Sequence, residues 1–163
     1  MIEALVGKRG RGKTSLAAEI MVSGQYDQIF IYDYLGEFLE FAVEGYITVA
    51  NTGFLDFLVH VWQNSHAGIE TLLVLDEIAN YGKDNPQIDH IMRLGRHKQI
   101  QVLATSQRFY TFPVIYRSQT DIFHIFQITE KRDIDYLKGV VDDRTLQRII
   151  SLQKFQYLSL DLS

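Results

Sequence analysis

One segment near the start of the sequence restricts the fold more than any other. Residues 7–14 read Gly-Lys-Arg-Gly-Arg-Gly-Lys-Thr, which satisfies the pattern G-x-x-x-x-G-K-[ST]. The apolar run Ile2–Val6 precedes this segment, and the helix-forming stretch Ser-Leu-Ala-Ala-Glu-Ile follows it. In such a strand–loop–helix unit, backbone N–H groups of the loop and the helix N-terminus point at a bound anion. The segment therefore predicts a phosphate-binding loop.

Individual residues of this loop have distinct predicted roles in binding ATP and Mg²⁺. The Lys13 ammonium is expected to reach the β- and γ-phosphates, and the Thr14 hydroxyl is expected to ligate Mg²⁺. The alternative is a glycine-rich turn that carries Lys-Thr by chance, which the flanking strand and helix disfavour. The predicted phosphate-binding residues are Gly7, Lys8, Arg9, Gly10, Arg11, Gly12, Lys13, Thr14 and Ser15.

The remainder of the chain alternates short apolar, β-branched runs with amphipathic stretches. This alternation predicts an α/β fold around a mostly parallel central sheet flanked by helices. The 163 residues suit one core, so we expect residues 1–163 to form a single domain. The predicted strands are residues 2–6, 28–32, 47–50, 71–75, 100–105, 122–128 and 156–160, and the predicted helices are residues 14–22, 54–63, 86–98, 130–140 and 143–152.

Two carboxylates follow the most apolar of these strands. Residues 72–75 read Leu-Leu-Val-Leu, as expected for a central strand buried on both faces, and Asp76 and Glu77 come next. Ligands of open α/β sheets bind at this carboxyl edge. Asp76 is predicted to hold Mg²⁺ and Glu77 to deprotonate the attacking water, which indicates hydrolysis. The alternative is that both carboxylates cap the following helix.

A later strand also ends in polar residues. The run Gln-Val-Leu-Ala at 101–104 leads into Thr105-Ser106-Gln107-Arg108. A side-chain amide at this strand end could sense the γ-phosphate, although Ser-Gln is also common in turns. Its position after the Asp-Glu strand favours a sensor role for Gln107.

Several segments together resemble the FtsK/HerA superfamily of pumping ATPases. They are residues 93–108, then Pro113, Ile115 and Arg117-Ser118-Gln119-Thr120-Asp121, with Asp33-Tyr34-Leu35-Gly36-Glu37-Phe38 similar to a D-x-x-G-E-[YF] motif. The resemblance spans about residues 2–130 and is greatest to the minimal genome-packaging ATPases of tailless, membrane-containing viruses with double-jelly-roll capsids. Where the superfamily has T-Q, this chain has Thr105-Ser106-Gln107.

The resemblance implies a RecA-like (ASCE) P-loop NTPase core that assembles as a homo-oligomer, a hexameric ring, and threads double-stranded DNA. It implies that Arg96 is an arginine finger inserted into the neighbouring subunit's ATP site, with Arg117 as the second choice and Arg93 as the third. It assigns the sensor role to Gln107. A solvated helix arginine remains the alternative for Arg96, and Glu37 is expected to cap or pair locally.

The charge distribution suggests where a polynucleotide could bind. The net charge is −4, and residues 14–82 contain no Lys or Arg. Residues 83–117, in contrast, hold six basic residues against two acidic ones. This segment either meets phosphate or is a solvated surface. Lys83 and Arg108 are the predicted DNA contacts, while Phe109 and Tyr110 are expected to lie against DNA or in a subunit interface.

Composition excludes other classes of protein. The sequence contains no cysteine, which excludes disulfides and cysteine-ligated zinc. It has no apolar run near the roughly 18 residues of a membrane helix, so we expect no intrinsic membrane segment and a location in the host cytoplasm, with capsid or membrane-vertex proteins as further partners. The remaining rivals are a phage assembly or export ATPase like the Zot-related proteins, a small-molecule kinase or GTPase, and a non-catalytic ATP-binding subunit. The N/T-K-x-D motif of GTPases is absent.

Overall fold

A seven-stranded sheet forms the centre of the protein. The computed structural model describes residues 1–81 and 85–161. Within them the strand order is β3-β2-β4-β5-β1-β6-β7, and every neighbouring pair is parallel except β6 with β7. The strands are β1 (Ile2–Val6), β2 (Gln28–Tyr32), β3 (Ile47–Ala50), β4 (Thr71–Leu75), β5 (Ile100–Ser106), β6 (Ile122–Phe126) and β7 (Tyr157–Asp161). The sheet confirms the predicted α/β fold.

Six α-helices connect these strands within the described residues. They are α1 (Lys13–Ser23), α2 (Phe54–Asn64), α3 (Pro86–Leu94), α4 (Val114–Gln119), α5 (Lys131–Leu137) and α6 (Asp143–Ser151). Short 3₁₀ turns occupy Leu39–Phe41, Ile78–Asn80 and Gly95–Lys98. Helix α4 was not predicted, and the predicted helix over 86–98 is an α-helix that ends at Leu94 and continues as a 3₁₀ turn.

The sheet is covered by apolar side chains on both faces. Successive residues of β4 belong to two different apolar clusters, one on each face of the sheet. Leu73 lies in the cluster that contains residues of α2 to α6, and Leu72 lies in the cluster that contains residues of α1. All five residues of β4 are buried, as the apolar sequence predicted. Burying one such leucine side chain contributes about 1.5 to 3 kcal/mol. None of the helices described is long and apolar enough to cross a membrane.

The strand order brings three loops to one edge of the sheet. Strands β4, β5 and β1 are adjacent and parallel, so their carboxyl ends lie side by side. The predicted phosphate loop follows β1, the carboxylate pair follows β4, and the polar segment that starts with Gln107 follows β5. Residues distant in sequence therefore converge there.

Candidate active site

The loop between β1 and α1 adopts a conformation that requires glycine. Gly7, Gly10 and Gly12 have φ values of 154°, 72° and 111°, a region that side chains disfavour. A Cβ added at Gly7 would lie 2.6 Å from Phe126 Cβ, so the position is also too crowded for alanine. Helix α1 begins at Lys13, directly after Gly12. The curved loop and the helix N-terminus that follows it are the two features that the predicted anion site requires.

Lys13 points its ammonium group into this loop. Lys13 Nζ donates a hydrogen bond to the Gly7 carbonyl at 2.8 Å and lies 3.7 Å from Glu77 Oε1. Burial lowers the pKa of Lys13, while the charges of Glu77, Asp76 and Glu37 oppose that shift. An ammonium group has three N–H donors, so Lys13 can still donate a hydrogen bond to an anionic oxygen.

A threonine on β5 holds the carboxylate pair in place. Thr105 Oγ1 donates to Asp76 Oδ1 at 2.8 Å and accepts from the Glu77 backbone N–H at 2.9 Å. Glu77 Oε2 in turn accepts from the Gln107 backbone N–H at 3.2 Å. Glu77 has a left-handed backbone with φ 48°, which costs about 1 to 3 kcal/mol for a residue other than glycine. Strain of this kind is typical of functional sites.

The environment of Asp76 bears on its predicted role as a Mg²⁺ ligand. Asp76 is 3% exposed, and its Oδ2 atom is buried without a hydrogen-bond partner among the described residues. Burial raises the pKa of Asp76 from 3.8 to about 6, and Glu77, Asp33 and Glu37 add to this shift, against the Thr105 hydrogen bond. The residues therefore fit Mg²⁺, which proteins often hold through one or two oxygen ligands plus substrate phosphates. The described residues include no group of three or more His, Asp or Glu side chains that could hold a metal ion.

The buried charge of Asp76 predicts a pH-dependent gain in stability for Asp76→Asn. A raised carboxyl pKa destabilises the folded state as pH rises from 3.8 through about 6, because the ionised form is desolvated. We expect the free energy of unfolding of the variant, relative to the original chain, to increase by roughly 2 kcal/mol between pH 4 and pH 8. Denaturant unfolding in metal-free buffer measures this difference. The exposed Asp56→Asn change is the control, and a pH-independent difference would contradict the interpretation.

The Thr14 hydroxyl is bound by a carboxylate that the sequence analysis set aside. Thr14 Oγ1 donates to Glu37 Oε2 at 2.8 Å, and Arg9 Nη2 lies 3.6 Å from Glu37 Oε1. The fully buried Asp33 holds this loop by accepting the backbone N–H groups of Glu37 and Phe38, each at 2.9 Å. Glu37 thus pairs locally, as expected, but it does so inside the site.

Gln107 contributes its backbone rather than its side chain to the carboxylate pair. The Gln107 side chain is exposed and makes no hydrogen bond within the described residues, whereas its N–H binds Glu77. The residue that bridges Asp76 and Glu77 is Thr105, which the sequence analysis named only as part of a motif. The sequence did not indicate this contact because Thr105 lies far along the chain from Asp76 and Glu77.

These groups surround one open cleft of about 280 Å³. Two unexpected neighbours, Lys154 and Phe155, come from the segment between α6 and β7. The cleft is lined by Arg9, Gly10, Gly12, Lys13, Thr14, Ser15, Leu35, Glu37, Asp76, Glu77, Lys154 and Phe155.

No protein-family model matches this sequence, and no curated protein matches it significantly. Solved structures do match it. The genome packaging NTPase B204 from Sulfolobus turreted icosahedral virus 2, in complex with ATP-gammaS, is 19% identical with a TM-score of 0.79. B204, the DNA-packaging ATPase from Sulfolobus turreted icosahedral virus, is 18% identical with a TM-score of 0.81. Both alignments cover 99% of this chain and 92% of the other. The chain shares the fold of the B204 packaging NTPase.

A more distant likeness involves the N-terminal domain of zonular occludens toxin from Neisseria meningitidis. It is 13% identical with a TM-score of 0.55, and the alignment covers 99% of this chain and 93% of that domain. The B204 structures therefore resemble this chain more than the toxin domain does.

The predicted arginine fingers lie in different environments. Arg96 is exposed and has no ion pair among the described residues. It precedes β5 and lies beside Ile2, at the sheet edge opposite the phosphate loop. Arg117 is half-buried with its guanidinium 4.7 Å from the Tyr136 ring centroid, and Arg93 pairs with a neighbouring aspartate at 2.8 Å. Of these three arginines, Arg96 is the one that has neither an ion pair nor a ring contact within the described residues.

The structure describes the surroundings of one of the two predicted DNA contacts, Arg108, and of the neighbouring Phe109. Arg108 is exposed and lies 3.3 Å from Glu130, so its charge is partly neutralised. Phe109 is 2% exposed and packs in the core against Phe123. The expectation that Phe109 lies against DNA or in an interface was therefore wrong, since its side chain is needed by its own core. Lys83 lies outside the described residues.

Proposed function

We propose that this protein hydrolyses ATP at the cleft beside the phosphate loop. The observation that carries this proposal is that one cleft is lined by Lys13 and Thr14, which begin α1, and by Asp76 and Glu77, which follow β4. The loop N–H groups and Lys13 would bind the phosphates, and Thr14 and Asp76 would hold Mg²⁺. When bound, the ion would neutralise negative charge on the phosphate oxygens.

In this proposal Glu77 is the general base. Its carboxylate would take a proton from the water that attacks the γ-phosphorus, at a position determined by the Gln107 N–H and the Thr105 hydroxyl. Lys13 would stabilise the negative charge of the transferring group. Gln107 directly follows β5, the strand that contains Thr105, and its exposed side-chain amide would sense the γ-phosphate.

We further propose that hydrolysis drives double-stranded DNA through a ring of identical subunits, in genome packaging. The fold likeness to the B204 packaging NTPase over nearly the full length of both chains supports this role, as does the basic segment 83–117. Each ATP site would receive Arg96 from the adjacent subunit. A hexameric ring acting in the host cytoplasm with capsid or membrane-vertex proteins is the corresponding assembly.

A second candidate is an ATPase of phage assembly and export. The likeness to the zonular occludens toxin domain favours it, although at a lower TM-score than that of B204. The two candidates differ in their expected partner, because the proposed packaging motor couples hydrolysis directly to double-stranded DNA. A small-molecule kinase lacks such support.

Steady-state ATP hydrolysis with and without double-stranded DNA distinguishes these candidates. For the packaging motor we expect activity to rise more steeply than linearly with protein concentration, because the site is completed by a neighbour, and to increase with DNA. Activity that is linear in protein and indifferent to DNA would retain the ATPase proposal and contradict the motor. No hydrolysis at any concentration, with or without DNA, would contradict both.

A further inference from the structure

The turn before β7 is attached to the phosphate loop. The Phe155 backbone N–H donates to the Arg11 carbonyl at 3.0 Å. The turn is closed by its own hydrogen bonds, from Gln156 N–H to the Gln153 carbonyl at 3.1 Å and from Gln153 N–H to the Gln156 side chain at 2.9 Å. Phe155 is therefore held at a defined place beside the loop.

The Phe155 ring stands at the rim of the cleft. Its Cδ1 atom lies 2.7 Å from the position that a Gly12 Cβ would occupy, yet the residue is 60% exposed. Phe155 is the aromatic residue that lines the cleft within the described part of the chain. A ring in contact with the loop on one side and solvent on the other presents an open surface to a ligand.

The backbone of Phe155 is strained in a way that packing does not explain. Its φ of 65° lies in the left-handed region, where a bulky aromatic residue is an outlier. Such residues persist at ligand clamps, where the strain positions a side chain. Core packing is an inadequate reason here, because most of the Phe155 surface is exposed.

The Lys154 side chain lies over one face of the Phe155 ring. The Lys154 ammonium lies 4.8 Å from the Phe155 ring centroid. Lys154 is exposed and has no ion pair within the described residues, so it can move away from the ring. A cation on this face occupies the place that another π-system or cation would take.

We propose that Phe155 is the platform on which the nucleobase of the bound nucleotide stacks. This inference rests on the proposed phosphate site, since the phosphates would place the base at the rim of the same cleft. The base would be recognised through its flat face, which every base possesses, rather than through hydrogen bonds to its edge. ATP and GTP should accordingly bind with affinities within a few-fold of each other.

The test compares ATP with inorganic tripolyphosphate, which has the phosphates without a base. Asparagine tolerates the left-handed backbone, so Phe155→Asn removes the ring and retains the turn. Base stacking on an aromatic side chain predicts that this variant binds ATP about 5- to 150-fold more weakly. Tripolyphosphate should bind equally to the original chain and to Phe155→Asn. Phe155→Tyr should bind ATP as tightly as the original chain does, because it keeps an aromatic ring. Titration calorimetry in the presence of Mg²⁺ measures the affinity of the original chain, Phe155→Asn and Phe155→Tyr for each compound.

Two outcomes would overturn the platform and leave the phosphate site intact. One is unchanged ATP affinity in Phe155→Asn. The other is an equal loss of ATP and tripolyphosphate in that variant while the original chain binds both, which would show that Phe155 acts on the loop through its contact with Arg11. If the original chain binds neither compound, the phosphate site itself fails and the platform fails with it.

Discussion

Replacing Glu77 with glutamine is expected to lower the rate of ATP hydrolysis by about 10²- to 10⁴-fold, the contribution of a general base. Glutamine has nearly the same shape and keeps an oxygen that can accept the Gln107 N–H. It cannot take a proton from the attacking water. ATP binding should be retained or become tighter, because the change removes a negative charge 3.7 Å from the Lys13 ammonium.

Phosphate release and ATP affinity must both be measured to interpret Glu77→Gln. A slow variant that still binds ATP supports the base assignment. The exposed Glu44→Gln change is the matched control, since it removes the same charge away from the cleft. A rate within about fivefold of the original would exclude Glu77 as the base. Lost ATP binding would show instead that Glu77 mainly positions Lys13.

The fold was largely predictable because its strands are short, apolar runs that amphipathic stretches separate. All seven predicted strands are present, and β4 is buried along its length as its sequence indicates. The antiparallel direction of β7 was not predicted, because direction depends on how the chain returns from α6 rather than on local residues.

Helix α4 shows where local signals fail. Val114–Gln119 begins after Pro113 with two β-branched residues, which favour strands. It is helical because tertiary packing buries Tyr116, which is fully inaccessible. Helix α3 ends at Leu94, whereas the sequence predicted a helix to Lys98. The four residues Gly95–Lys98 form a 3₁₀ turn instead.

The candidate site divides into parts that local sequence reveals and parts that it does not. The Gly-rich loop and the Asp76–Glu77 pair carry their own sequence context. Thr105 contacts the carboxylate pair, and Phe155 lines the cleft, only through tertiary contacts, so no local pattern marks either residue. Phe109 gave a false signal, because an aromatic residue beside a basic one can equally belong to the core.

Arg96→Ala is expected to reduce ATP hydrolysis by about 10³-fold or more, the contribution of an arginine finger. Arg96 precedes β5, and β5 runs roughly 20 Å along the sheet before reaching the edge with the phosphate loop. The side chain is therefore too far from its own subunit's phosphate loop to act there, and in the proposed ring it would act on a neighbour's site. ATP binding by the isolated subunit should be unchanged, and the exposed Arg148→Ala change is the control.

Mixing two inactive variants gives the decisive test of action in trans. A subunit with Arg96→Ala keeps its own Glu77, and a neighbour with Glu77→Gln keeps its own Arg96. An equal mixture should therefore recover up to roughly a quarter of the original rate, because one interface in four then joins an intact base to an intact finger. Recovery requires both groups to meet across an interface, which a solvated helix arginine cannot explain. If Arg96→Ala alone is slow and the mixture stays inactive, Arg96 acts on its own subunit's structure. If Arg96→Ala hydrolyses ATP at the original rate, Arg117 becomes the finger to test, and its release from the Tyr136 ring would have to accompany ring assembly.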